Sequence, residues 1–321
     1  MKGRWYFDAV SSSSNASIIA VLYNNGPQSF LNKHFDGPVS LSITGLFPNG
    51  SVINREVPAT GAVIKTDRSG ISAEWKDTGV SFSGSNLARG EVTYTLNIDS
   101  SDILGIEGSI TWKSLAPPHY PCSLDKLGAD ERFMPHVGWS NAIPDATVNV
   151  DLTLNGTETV GFDDGIGYHD KNWGDQALWF SASQWYWGHG RLGPYSIVFL
   201  DSLDWTAREY ATGYVTEVGR VMEVSCAPSS VVARPWGYNS EYPPTNASGP
   251  IEGLGLQFQL GDGSKFLANY TSETVLVAAP SGRYLRTIGT VEGGMEGGQK
   301  YTGRMIFEQF AFIPAEAPTE I

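Results

Sequence analysis

The chain has 321 residues, enough to bury one large core or two medium ones. Its 34 acidic and 21 basic residues give a net charge of −13 with no Lys/Arg cluster, which excludes an extended nucleic-acid surface and disfavours binding to an anionic membrane. No apolar run approaches the ~18 residues a helix needs to cross a bilayer, and the two cysteines lack the CxxC spacing of a zinc site.

The hydrophobic period is two almost throughout. In RWYFDAV (4–10), alternation places Trp5, Phe7 and Ala9 on one face and Tyr6, Asp8 and Val10 on the other. Tyr6 and Asp8 are either the ordinary polar side of a first strand or a hydrogen-bonding pair on a cavity wall. Further strands are expected at 16–24, 39–47, 70–84, 91–99 and 105–115, separated by the turn-forming NNGP, PNG, DRSG and SSD. Residues 116–145 carry five prolines and little alternation. They read as a long irregular connection with a short turn of helix near 124–132. Strand character returns at 148–156.

The window GYHDKNWG (167–174) concentrates polar and aromatic groups. In an extended chain His169 and Lys171 point one way and Asp170 the other, whereas a turn would converge them. His169–Asp170 is either a structural bracket or an acid/base pair in which a carboxylate orients an imidazole. In QWYWGHGRLGPYSIVF (184–199), Trp185, Trp187 and His189 share one face. With Tyr195 and the nearby Trp173 they are read as the aromatic wall of an apolar ligand site, because several buried indole N–H groups each need a partner in a core. Strands follow at 195–204, 208–226, 254–263, 265–279, 284–294 and 300–313, interrupted by a Pro-rich surface loop at 227–250. This spacing implies an all-β protein of two β-domains, each a sandwich or barrel, with a boundary between 150 and 165.

Cys122 and Cys226 are either one disulfide or two buried thiols. Sequons at Asn15, Asn49, Asn155, Asn246 and Asn269 are glycosylation candidates and favour the secretory pathway over the cytoplasm. The opening MKGRWYFDAV reads as a strand, not a leader. No nucleophile elbow, HExxH motif or phosphate loop is present, so dependence on a metal or nucleotide is not expected.

The motifs WYFD, GYHDKNWG and WGHGRxGPYS, in this order, resemble those of the fungal lipocalin-like Diels–Alderases, relatives of the carotenoid 1,2-hydratase-like and AttH-like proteins. The resemblance spans both β-blocks and is strongest over 161–205. It implies a β-sandwich-like N-terminal domain (1–158), a lipocalin-like C-terminal barrel (159–321) and a substrate pocket between them. It also implies no cofactor, and a [4+2] cycloaddition of an apolar polyketide or terpenoid intermediate such as a polyene or quinone methide. Such a reaction needs orientation, which is worth up to about 7–11 kcal/mol, and a donor that polarises an activating group. Lys171, Tyr195, His189 or an indole N–H are the candidates for that donor. Two other readings are a hydratase, dehydratase or isomerase using His169 and Asp170, and a lipocalin-like carrier without turnover. Oligomeric state is not set by the sequence.

Overall fold

Short alternating strands need a neighbour on each edge and a shared apolar face, and both requirements are met by two curled sheets. The computed structural model describes residues 3–25, 37–88, 90–245, 247–279 and 283–312. It divides into two compact units: Met1–Pro118 with Ser140–Asp175, and His119–Trp139 with Gln176–Ile321.

The first sheet contains β1 (Gly3–Val10), β2 (Ser17–Asn24), β3 (Val39–Leu46), β4 (Val52–Pro58), β5 (Ala62–Asp67), β6 (Gly70–Trp75), β7 (Val80–Ser85), β8 (Thr93–Ser100) and β9 (Ile106–Ser114). It is completed by β10 (Arg132–Met134), β11 (Val137–Leu154) and β12 (Glu158–Gly174). The order is β4-β3-β2-β1-β12-β11-β9-β8-β7-β6-β5, with β10 folded back on the start of β11. All the mapped pairs are antiparallel, and β4 and β5, consecutive in the chain, stand at opposite ends of the order. The inner face gathers Trp5, Phe7, Trp75, Phe82, Leu96 and Trp112 into one core. Burial of each such side chain stabilises the fold by about 1.5–3 kcal/mol. The indoles are satisfied there: Trp75 Nε1 donates to the Tyr23 carbonyl at 3.1 Å and Trp112 Nε1 to the Asp8 carbonyl at 2.6 Å. Gly167 is required by this packing, since a Cβ would lie 2.4 Å from the Trp112 ring.

The second sheet contains β13 (Gln184–Leu192), β14 (Tyr195–Leu203), β15 (Glu209–Glu217), β16 (Arg220–Ser225), β17 (Val231–Trp236), β18 (Gly253–Gln259), β19 (Lys265–Ala278), β20 (Tyr284–Met295) and β21 (Tyr301–Ala311). Its order is β16-β15-β14-β13-β21-β20-β19-β18-β17. The sheet curls until β17 approaches β14, where Ala233 N–H donates to the Asp201 carboxylate at 3.4 Å. Phe199, Phe258, Phe266, Tyr270 and Phe307 fill the interior.

Residues 119–139 strap the opposite face of this sheet. The His119 ring stacks on Tyr214 at 4.1 Å, and Phe133 packs edge-on to Trp185 at 5.7 Å. The Thr212 hydroxyl donates to the Pro121 carbonyl. Cys122 and Cys226 form a disulfide, with Cα atoms 4.7 Å apart, that ties the strap to the chain just after β16.

Four expectations need correction. The irregular segment ends earlier than 145, because β11 begins at Val137 and runs for 18 residues despite Pro144. No helix forms at 124–132; the chain there is held by turns such as Ala129 N–H to the Lys126 carbonyl. The supposed strand 208–226 is a hairpin, broken by Val218 and Gly219 with φ of 49° and 73°. The supposed loop 227–250 contains β17, whose Pro235 is tolerated on an edge strand.

Candidate functional site

Strand β12 stays extended through the whole of GYHDKNWG, and that decides what its side chains can do together. Register pairs Tyr6 with Asp170, Asp8 with Tyr168, and Phe7 with His169. Paired residues of an antiparallel ladder share a face, so His169 and Asp170 point to opposite sides of the sheet.

His169 faces the first unit's core. Its ring stacks on Phe7 at 3.8 Å, with Tyr94 at 4.6 Å, and Nδ1 donates to the Tyr6 carbonyl at 2.8 Å. Burial is the main cause that depresses its pKa to about 3, with the Lys171 charge adding to it and the Tyr6 carbonyl opposing. A neutral imidazole stacked in the aromatic core lies across the sheet from Asp170 and hydrogen-bonds the Tyr6 carbonyl instead. Lys171 shares this side, its ammonium 4.3 Å from the Trp5 ring and 5.7 Å from Trp173.

The other face of β1 and β12 carries a buried polar block. The Tyr168 hydroxyl lies against the Asn141 amide and 2.8 Å from Asp170 Oδ2, to which Asn172 Nδ2 also donates at 3.3 Å. Arg4 Nε donates to Asn172 Oδ1 at 2.8 Å, and the Arg4 guanidinium lies 5.7 Å from the Tyr6 ring. Tyr6 in turn meets Tyr168 edge-on at 6.1 Å. Arg4, Tyr6, Asp8, Asn141, Tyr168, Asp170 and Asn172 are all buried. The structure therefore brings the expected Tyr6, Asp8 and Asp170 together and adds Tyr168, Asn172, Asn141 and Arg4. Tyr168 and Asn172 had a readable signal: each lies two residues from Asp170 on the same strand. Arg4 had the same signal, two residues from Tyr6 on β1, whereas Asn141 had none, being brought in by another strand.

In the second unit, Trp185, Trp187 and His189 do share a face of β13, with His189 5.6 Å from the Trp187 ring. Register sets Glu308 opposite Trp187 and Arg286 opposite Glu308. Arg286 Nη2 and the Tyr284 hydroxyl each donate to Glu308 Oε2 at 2.8 Å, a buried ion pair that sequence reasoning missed because its partners lie on different strands. Tyr195 does not belong to this wall. It faces the barrel interior, 4.9 Å from Phe266 and 5.8 Å from Tyr301. Burial first, then the Glu217 carboxylate, raises its phenol pKa.

A third polar group lies inside the second barrel. Asp201 accepts from Arg234 Nη1 at 3.1 Å and from the Tyr242 hydroxyl at 3.4 Å, while Arg234 Nη2 donates to Glu209 at 3.0 Å. Burial, helped by the nearby Glu209 charge and opposed by Arg234, pushes the Asp201 carboxyl up to about 7. Its partners come from three separate elements, so no local pattern could reveal the group. Among the described residues no helix is long and apolar enough to cross a membrane. Asn15, Asn49, Asn155 and Asn269 are exposed, and Asn246 lies outside the described residues.

Two curled antiparallel sheets, each with buried carboxylate, phenol and guanidinium groups set among aromatic rings, define a lipocalin-like enzyme scaffold. The sequence profile of the Diels-Alderase-like family matches residues 2–222, and the chain belongs to that family. It is 43% identical over 311 residues to the quinolone epoxide rearrangement protein penF of Penicillium thymicola, a match covering 96% of this chain and 84% of penF. The Diels-Alderase ucsH of Acremonium sp. is 26% identical over 230 residues, 67% of this chain and 54% of ucsH. The crystal structure of CghA with Sch210972 superposes with a TM-score of 0.80 at 17% identity, covering 97% of this chain and 88% of CghA, and shows the shared fold. The expectations of a lipocalin-like all-β fold and of an enzyme of the Diels-Alderase class are borne out.

Proposed function

We propose that this enzyme rearranges an epoxide-bearing quinolone in fungal secondary metabolism without a cofactor. The observation that carries this reading is the 43% identity to penF across nearly the whole chain. The product is an isomer of the substrate: the epoxide C–O bond breaks, and either a neighbouring group shifts to the cationic carbon as the oxygen becomes a carbonyl, or a carbon-bound proton is lost as a C=C bond forms and the opened oxygen takes up a proton. No co-reactant is consumed. Charge then grows on the epoxide oxygen and, with opposite sign, on carbon, so the site must supply a donor and a carboxylate in a dry setting. The buried Tyr168–Asp170 pair, oriented by Asn172 and Asn141, has this chemistry: the phenol donates to the opening oxygen and the carboxylate stabilises the cationic carbon. Tyr6, Arg4 and Asp8 lie on the same face and complete the polar block.

The test incubates purified protein with a synthetic quinolone epoxide and follows isomer formation by chromatography and mass spectrometry against the uncatalysed rate. Asp170→Asn and Tyr168→Phe are expected to lose ~10²–10⁴-fold in rate, while His169→Phe retains most of it. A wild-type protein that leaves rate and product distribution unchanged would defeat the proposal. The second reading, a [4+2] cycloaddition, is favoured by the family match and by ucsH. It predicts acceleration and stereocontrol with a linear polyene precursor, with little sensitivity to Asp170→Asn.

A further inference from the structure

Inside the second barrel, one end is built differently from the rest. Most of the interior is filled by rings, yet at this end the polar side chains of Gln184, Asp201 and Gln309 stand beside Tyr186, Leu203 and Leu285. Register pairs Tyr186 with both Asp201 and Gln309, Asp201 with Ala211, and Gln184 with Ala311. Gln184 precedes Tyr186 by two residues and therefore shares its face. Ala233, from β17, closes the group against Asp201. Ala211, Ala233 and Ala311 are buried beside them.

Gln184, Tyr186 and Gln309 are at most 1% exposed, yet the Tyr186 hydroxyl and both amide atoms of each glutamine have no hydrogen-bond partner among the described residues. Leaving a buried polar group unmet is costly, so five such atoms at one end of a barrel call for something that meets them. We propose that this end of the barrel binds a small neutral molecule that presents an N–H donor beside a C=O acceptor, as a lactam does. Each primary amide of Gln184 and Gln309 offers a carbonyl and an NH₂ and pairs with a lactam edge; the Tyr186 hydroxyl both donates and accepts. An anion is disfavoured because two carboxylates, Asp201 and Glu209, face one guanidinium, Arg234. Tyr242, stacked on Arg234 at 3.8 Å and only half-buried, borders the group on its loop side and is the side chain that must yield for entry. The site is separate from Tyr168–Asp170, and the proposal does not depend on the epoxide reading.

The experiment titrates 2-pyridone and N-methyl-2-pyridone into the full chain and reads binding by saturation-transfer NMR. Wild type is expected to bind 2-pyridone saturably, with the N-methyl compound at least about fivefold weaker because its donor is gone. Tyr186→Phe, the conservative variant, and Gln309→Leu are each expected to weaken binding at least about fivefold, whereas Asp170→Asn leaves it unchanged. Absence of saturable binding to wild type overturns the proposal. So does equal binding of the N-methyl compound, or binding that survives Tyr186→Phe and Gln309→Leu but is lost in Asp170→Asn. If wild type binds no pyridone and Gln309→Leu raises the thermal midpoint, water alone meets these groups and the proposal is overturned.

Discussion

Replacing His169 by Phe tests the assignment of this residue to the core. In the folded chain the imidazole resists protonation until about pH 3, whereas in the unfolded chain it takes up a proton near its ordinary 6.5. Below 6.5 the unfolded state therefore holds the extra proton, and stability falls as pH falls. Each pH unit in that window costs about 1.4 kcal/mol, so this one group removes roughly 2.7 kcal/mol by pH 4.5 and about 4.4 kcal/mol by pH 3. His169→Phe keeps the stack on Phe7 but deletes the hydrogen bond to the Tyr6 carbonyl, a loss of about 1 kcal/mol at pH 7.5. The variant is thus expected to be less stable than wild type at pH 7.5 and more stable at pH 4.5. Urea unfolding followed by tryptophan fluorescence at both pH values measures the crossover. Parallel pH profiles for the two proteins would refute the buried neutral imidazole, and with it the argument that His169 is no acid/base partner of Asp170.

Asp201 has the opposite sign. Its folded-state carboxyl holds a proton up to about pH 7 while the unfolded one releases it near 3.8, so stability falls as pH rises through that interval, by up to roughly 4 kcal/mol; Asp201→Asn should lack this slope, so that the difference between variant and wild-type midpoints changes across the interval. Reduction, or Cys122→Ala with Cys226→Ala, frees the 119–139 strap and should cost about 2–4 kcal/mol, read as a lower denaturation midpoint. Gly167→Ala drives a Cβ into Trp112 and should destabilise by about 1–3 kcal/mol, with a changed tryptophan emission; an unchanged midpoint would show that the ring yields freely. When the chain is secreted from a eukaryotic host, the exposed Asn15, Asn49, Asn155 and Asn269 are expected to carry N-glycans, seen as a mass loss on enzymatic deglycosylation.

The period-two pattern contained most of the fold, because alternation is a local consequence of one buried face per strand. Where both faces are buried, as in β1, β13 and β14, alternation cannot say which side is core, and Tyr195 was placed with Trp185 and Trp187 although it lies across the sheet from them. Proline count misjudged 137–145 because pairing along β11 overrides local propensity at Pro144. A strand at 231–236 was hidden by Pro235, which an edge position accommodates.

By itself the sequence determined the all-β class, the family and the polar side of the first strand, since each is written in residue spacing along the chain. Tertiary structure alone decided which polar groups meet. His169 and Asp170 are neighbours in sequence and strangers in space, because the chain between them stays extended. Tyr168, Asp170, Asn141 and Arg4, or Asp201, Arg234 and Tyr242, meet only because sheet register brings distant strands side by side, and register is a property of the whole folded sheet.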